Sequence, residues 1–119
     1  MSFSKRYTEK TDEGYRKCRV TFRLSNIQAK AHNAESVRLV GDFCKWDQKK
    51  GIEMTVRKDG SFSCSHTFLT KARYEFKYCI NDGKAWENDD NADCYVANDQ
   101  GGDNSVLDLE NCDVADENK

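Results

Sequence analysis

The stretch KCRVTFRL, residues 17–24, alternates Cys18, Val20, Phe22 and Leu24 with charged or hydroxyl residues. Successive side chains of a strand point to opposite faces, so this period of two predicts a strand with one buried face. The pattern recurs along the chain. SVRLVGDF offers Val37, Leu39 and Phe43, and IEMTVR offers Ile52, Met54 and Val56. SFSCSHTF offers Phe62, Cys64, His66 and Phe68; RYEFKYCI offers Tyr74, Phe76, Tyr78 and Ile80; SVLDL at 105–109 supplies a last strand. The Asp-Gly steps of Lys58-Asp59-Gly60 and Asn81-Asp82-Gly83 are hairpin signals. Only NIQAKAHNAES, in the first connection, has room for a turn of helix. Many short strands at regular spacing predict an all-β, immunoglobulin-like sandwich of about seven strands.

Length and charge exclude several function classes. A chain of 119 residues suits one domain and is too short for a β/α barrel, which needs roughly 200 residues or more. Nineteen Lys and Arg against 21 Asp and Glu leave a formal charge of −2, with no general pull toward nucleic acid or an anionic membrane. No apolar run approaches the roughly 20 residues of a membrane span, and the N-terminal stretch lacks the apolar core of a signal peptide. A cytoplasmic location is expected. Cys18, Cys44, Cys64, Cys79, Cys94 and Cys112 are scattered without a C-x-x-C pair, and His32 and His66 have no second ligand nearby in sequence. Free thiols are therefore expected, with no metal site and no cofactor. Residues 1–16 and 110–119 are polar and lack alternation, so the sandwich is expected over 17–109 between two flexible ends, the second of them acidic.

ESVRLVGDFCKWD, YEFKYCINDGKAWENDDNADCYV and GGDNSVLDL resemble the isoamylase early-set family, the glycogen-binding modules of α-glucan enzymes and of the AMP-activated kinase β subunit. The likeness is greatest to small stand-alone bacterial members and runs from about residue 16 to 109. It implies an E-set β-sandwich that grips α-1,4-linked glucose chains without cleaving them. By the same resemblance, the tryptophan after G-D-F and the one after the D-G turn form a sugar platform. These are Trp46 and Trp86, with the F-K-Y lysine, Lys77, and the last-strand asparagine, Asn104, beside them. The chain departs from kinase-type modules at Cys44 and Lys45 before the first tryptophan, at Gln100, Gly101 and Gly102, and at Ser105, which together imply weak binding. The implied partners are an α-glucan and a glucan-metabolising enzyme.

The residues agree in their chemistry. A glucose ring has an apolar C–H face and a fringe of hydroxyls, and so needs a flat apolar surface bordered by polar groups. Trp46 and Trp86 supply the first; Lys77, out of phase with its inward-facing neighbours, is placed to reach a hydroxyl. The acidic run holding Glu87, Asp89, Asp90, Asp93, Asp99 and Asp103 has neither EF-hand spacing nor a barrel scaffold, so it reads as a solvated, turn-rich loop instead of a calcium site or a catalytic pair. His66 falls on the inward phase and reads as a hydrogen-bonded core or rim residue. No catalytic residue is expected. An interaction domain that keeps the sandwich without binding sugar is the second function class.

Overall fold

The computed structural model describes residues 3–11 and 14–110, with Phe3 and Tyr15 described by their backbone alone. Ten strands and one short helix follow in order: β1 Phe3–Thr11, β2 Gly14–Leu24, α1 Asn26–Ala31, β3 Val37–Gly41, β4 Ile52–Glu53, β5 Thr55–Val56, β6 Phe62–Leu69, β7 Arg73–Ile80, β8 Ala85–Glu87, β9 Cys94–Ala97 and β10 Asp103–Asp108. One sheet has the order β1-β2-β6-β5 and the other β4-β3-β7-β10-β9, with β8 also on β7. The two sheets pack as the all-β sandwich that the alternation predicts.

The core is built from the inward phase of each strand. Val20, Phe22 and Leu24 of β2 meet Phe76, Tyr78 and Ile80 of β7, with Leu39, Leu107 and Leu109 beside them, all closed to solvent. Phe22 bridges the sheets edge-to-face, 5.1 Å from Phe76 between ring centroids. Burying each such ring contributes about 1.5–3 kcal/mol. The D-G turns form as expected: Gly60 takes a φ of 89°, and Asp59 accepts hydrogen bonds from the Ser61 amide and hydroxyl.

Several elements differ from the sequence reading. The stretch 1–16, expected to stand outside the sandwich, contributes β1, which pairs with β2 from Phe3↔Phe22 to Thr11↔Gly14. Its alternation is masked because Lys5 shares a face with Tyr7. The Lys5 ammonium escapes to Asp93 at 2.8 Å and to the Asp108 carbonyl at 3.1 Å. The acidic tail expected over 110–119 lies, beyond Glu110, outside the described residues, and so does Cys112.

IEMTVR is two strands, not one. Met54, buried, is the crossing point: β4 before it pairs with β3 in one sheet, and β5 after it pairs with β6 in the other. Val56 is consequently on an edge and exposed, against the inward phase assigned to it. Because β5 covers β6 only at Phe62 and Ser63, His66 also lies along an open edge. Its ring is exposed, packs 4.9 Å from Phe68 and 6.3 Å from Phe43 between centroids, and has no hydrogen bond among the described residues. Partial burial, then the Arg19 charge, pushes its pKa down.

Candidate functional site

The site begins at VGDFCKWD, where β3 ends and the chain folds back over the outer face of its sheet. Gly41 is extended, so its freedom in φ is not the point; a Cβ there would run into the Glu75 carbonyl oxygen of β7 and the Phe43 ring. Asp42 then accepts the Glu75 amide at 3.0 Å, and Phe43 turns inward to pack 5.5 Å from Phe68. Burial pushes the Asp42 carboxyl above its ordinary pKa, against the pull of the Glu75 amide. Cys44 lies in the turn after β3, yet its thiol is buried with Val40 and Cys79 and donates to the Gly41 carbonyl.

Lys45 and Trp46 then take φ values of 57° and 59°, two consecutive left-handed residues that are not glycine. A bulky residue rarely adopts that conformation, and such strain persists only where the surroundings over-determine it. Here the Trp46 amide is held by the Gly41 carbonyl at 2.9 Å.

Trp86 arrives from β8. It faces Cys79 across the β7–β8 ladder, which puts it on the outer face that Lys77 shares, between the inward Phe76 and Tyr78. Three contacts anchor this hairpin. His32, which caps the C-terminus of α1, meets Glu87 at 2.6 Å, Gln28 donates to the Asn88 carbonyl at 3.0 Å, and the Tyr78 hydroxyl donates to Asp89 at 2.6 Å. Gln28 also closes a capping box with Ser25, so the start of α1 and the end of β8 are fixed by one side chain. Glu87 and Asp89 of the acidic run are therefore engaged within the fold, and Asp89 is only 1% exposed. Burial, then the Asp89 charge, raises the Tyr78 phenol well above its ordinary pKa.

The third wall is the 98–102 loop. Asn98 ties it together, with its backbone amide on the Gly102 carbonyl and its side-chain oxygen accepting from the Gln100 and Gly102 amides. Gly101 supplies the positive φ, 85°. The Asn98 amide nitrogen donates to Asn104 Oδ1 at 3.1 Å, and Asn104 Nδ2 donates to Glu75 Oε1 at 2.9 Å.

Trp46, Lys77, Trp86 and Asn104 line one pocket of about 600 Å³, joined by Asn98, Asp99, Gln100 and Gly102 of the loop. All four residues named from the sequence thus come together. The tryptophans are each 37% exposed, whereas Asn104 is only 9% exposed. The Lys77 ammonium donates to the Asp103 carbonyl at 3.0 Å. Asn98 was missed because an asparagine before two glycines looks like any turn residue; Asp99 was read only as one more charge in an acidic run. Among the described residues there is no group of three or more His, Cys, Asp or Glu able to hold a metal ion. No helix among the described residues is long and apolar enough to cross a membrane.

The fold has solved counterparts. The crystal structure of the enterobactin esterase of Shigella flexneri, in the presence of 2,3-dihydroxy-N-benzoyl-serine, is similar to this chain with a TM-score of 0.61 at 11% identity. The match covers 89% of this chain and 32% of the esterase, so the chain spans about a third of that protein, and what the two share is the fold. A search of curated proteins finds no match. Residues 27–115 match the family described as the glycogen recognition site of AMP-activated protein kinase, and the chain belongs to that family.

Proposed function

We propose that this domain binds α-1,4-linked glucans such as glycogen, starch and maltooligosaccharides through the Trp46–Trp86 groove, without cleaving them. One observation carries the reading: two tryptophans from different elements, equally exposed, open onto the same groove as a lysine side chain. Stacked sugar faces would cover the indoles, while hydroxyls reach the ammonium. The family's description, which names glycogen recognition, supports this reading. A non-catalytic role is supported by the engagement of Glu87 with His32 and of Asp89 with Tyr78.

The same reading includes the isoamylase early-set branch of such modules, a glucan-metabolising enzyme as partner, and a cytoplasmic setting. The unpaired state of the five described cysteines accords with a reducing compartment. In its terms the module is residues 17–109, to which β1 adds an edge strand.

The test is titration of the full chain with maltoheptaose and β-cyclodextrin, followed by tryptophan fluorescence and amide spectra. Trp46 and Trp86 are the only tryptophans, so a shift reports on the groove. Trp46→Ala or Trp86→Ala should weaken binding by several-fold or more, since each aromatic contact adds roughly 0.5–1.5 kcal/mol beyond burial. Lys77→Ala should cost less, and straight β-linked cellooligosaccharides should bind more poorly. Unchanged spectra at millimolar α-glucan would discard the reading in favour of a protein-interaction domain.

A further inference from the structure

The amide of Asn104 is committed to the protein at both ends: its oxygen accepts from Asn98 and its nitrogen donates to Glu75. Little of it faces the groove, because the side chain is almost wholly buried. Asp99 is the opposite case. It lines the groove, it is exposed, and among the described residues its carboxylate has no hydrogen bond or ion pair. Asn98, the residue before it, fixes the backbone that follows it through the Gln100 and Gly102 amides.

An ionised carboxylate is an acceptor only, with about four lone-pair sites on two oxygens. Adjacent hydroxyls of a pyranose present paired O–H donors with matching spacing, and hydrogen bonds to a charged acceptor are the stronger kind. Lys77 supplies the complementary function, since one of its three N–H groups is used on Asp103. We infer that Asp99 is the specificity-determining residue that accepts the hydroxyls of a bound glucan. Asn98 and Asn104 are positioning residues that hold its loop against the tryptophans. This rests on the glucan-binding reading and moves the polar contact from the last strand, where family likeness puts it, to the loop.

The experiment is a double-mutant cycle between protein and sugar. The full chain and its Asp99→Ala, Asp99→Asn and Asn104→Ala variants are titrated with maltotetraose and with its monodeoxy analogues lacking a 2-, 3- or 6-hydroxyl. Both Asp99 variants should lose affinity for maltotetraose, by about five- to tenfold for alanine. At least one deoxy analogue should bind the wild type several-fold more weakly than maltotetraose, yet bind Asp99→Ala no more weakly than maltotetraose does. Asn104→Ala should weaken every ligand by a similar factor and keep that hydroxyl preference, which a direct contact would not. Unchanged maltotetraose affinity in Asp99→Ala, or a hydroxyl preference lost in Asn104→Ala and kept in Asp99→Ala, would overturn the assignment. If Trp46→Ala still weakened binding several-fold in that event, the glucan reading would stand; if the wild type bound no maltotetraose, both would fall.

Discussion

The Tyr78 hydroxyl donates to an Asp89 carboxylate oxygen at 2.6 Å, with both side chains closed to solvent. Asp89 also receives the Asn91 amide, while its own amide goes to the Ser105 hydroxyl and its carbonyl accepts from Tyr95. A core residue of β7 thereby pins the segment that follows Trp86. Removing one partner of a buried charge leaves its desolvation uncompensated, so Tyr78→Phe should destabilise the domain by about 1–3 kcal/mol in urea unfolding. An unaltered unfolding midpoint would mean that Asp89 is satisfied without Tyr78.

Gly41→Ala should be more damaging than any loop substitution near the groove. The added Cβ meets backbone, the Glu75 carbonyl, which cannot swing away as a side chain could. Overpacking of this kind costs about 1–3 kcal/mol or more, and it should also perturb the amide signals of residues 42–46. Calorimetric melting of the variant is the direct check.

Lys45→Gly should act in the other direction. Its φ of 57° suits glycine, so relief of the left-handed strain should stabilise the fold by up to about 1 kcal/mol, less what the freer unfolded chain gains. The turn should also become looser, and maltoheptaose affinity should fall even though Lys45 does not line the groove. A variant that is both less stable and equally tight would contradict this.

The stability of the fold should decline at alkaline pH. Burial pushes the Cys18 thiol up to about 11 and the Cys64 thiol up to about 12 from 9.0, and raises Tyr78 well above 10.0. Above pH 9 the unfolded chain releases these protons while the folded one keeps them, so the unfolded state binds fewer protons and stability falls as pH rises. The contribution is whole below pH 9 and is lost across pH 9–12. Urea midpoints measured from pH 8 to 11 should therefore drop, and Cys18→Ala with Cys64→Ala should flatten the slope.

Thiol labelling should single out Cys94. It is partly exposed on β9 with the Arg73 guanidinium 2.9 Å from its sulfur, whereas Cys18, Cys44 and Cys79 are buried and the partly exposed Cys64 has its thiol pushed up to about 12 by burial. In a Cys112→Ser background, native protein at pH 8 should take up one equivalent of an aromatic disulfide reagent rapidly. The others should react only as the chain unfolds. Early labelling of Cys44 would show that the turn after β3 opens readily.

The parts of this fold that were legible were those in which one residue type does one job. Val20, Phe22 and Leu24 are apolar and inward; Gly60 and Gly83 turn the chain; Trp46, Lys77 and Trp86 stand near G-D-F, F-K-Y and the D-G turn. Illegible positions carry a residue doing what its type seldom does. Lys5 sits on an inward phase because its stem is long enough to carry the charge out to Asp93. Asp89 is buried within a run of exposed acids because Tyr78 waits beneath it. Cys44 lies in a connection but behaves as a small hydrophobe. Asn98 has the composition of a turn, and only its distance in space to Asn104, set by the return of β10 beside β9, reveals that it braces a wall.

One edge of β7 is shared lengthwise by two strands. β10 pairs with it up to Phe76 and β8 from Tyr78 onward, so Lys77 stands opposite a gap between ladders. The join is stitched by side chains, Asn88 to the Asp103 carbonyl and Ser105 to Asn88, with Lys77 itself reaching the same Asp103 carbonyl. A rod-like ligand lying from Trp86 to the 98–102 loop would bridge that seam like a splint. Its binding would then be recorded in the backbone as well as at the indoles, as slowed hydrogen exchange at 85–87 and 103–105 together.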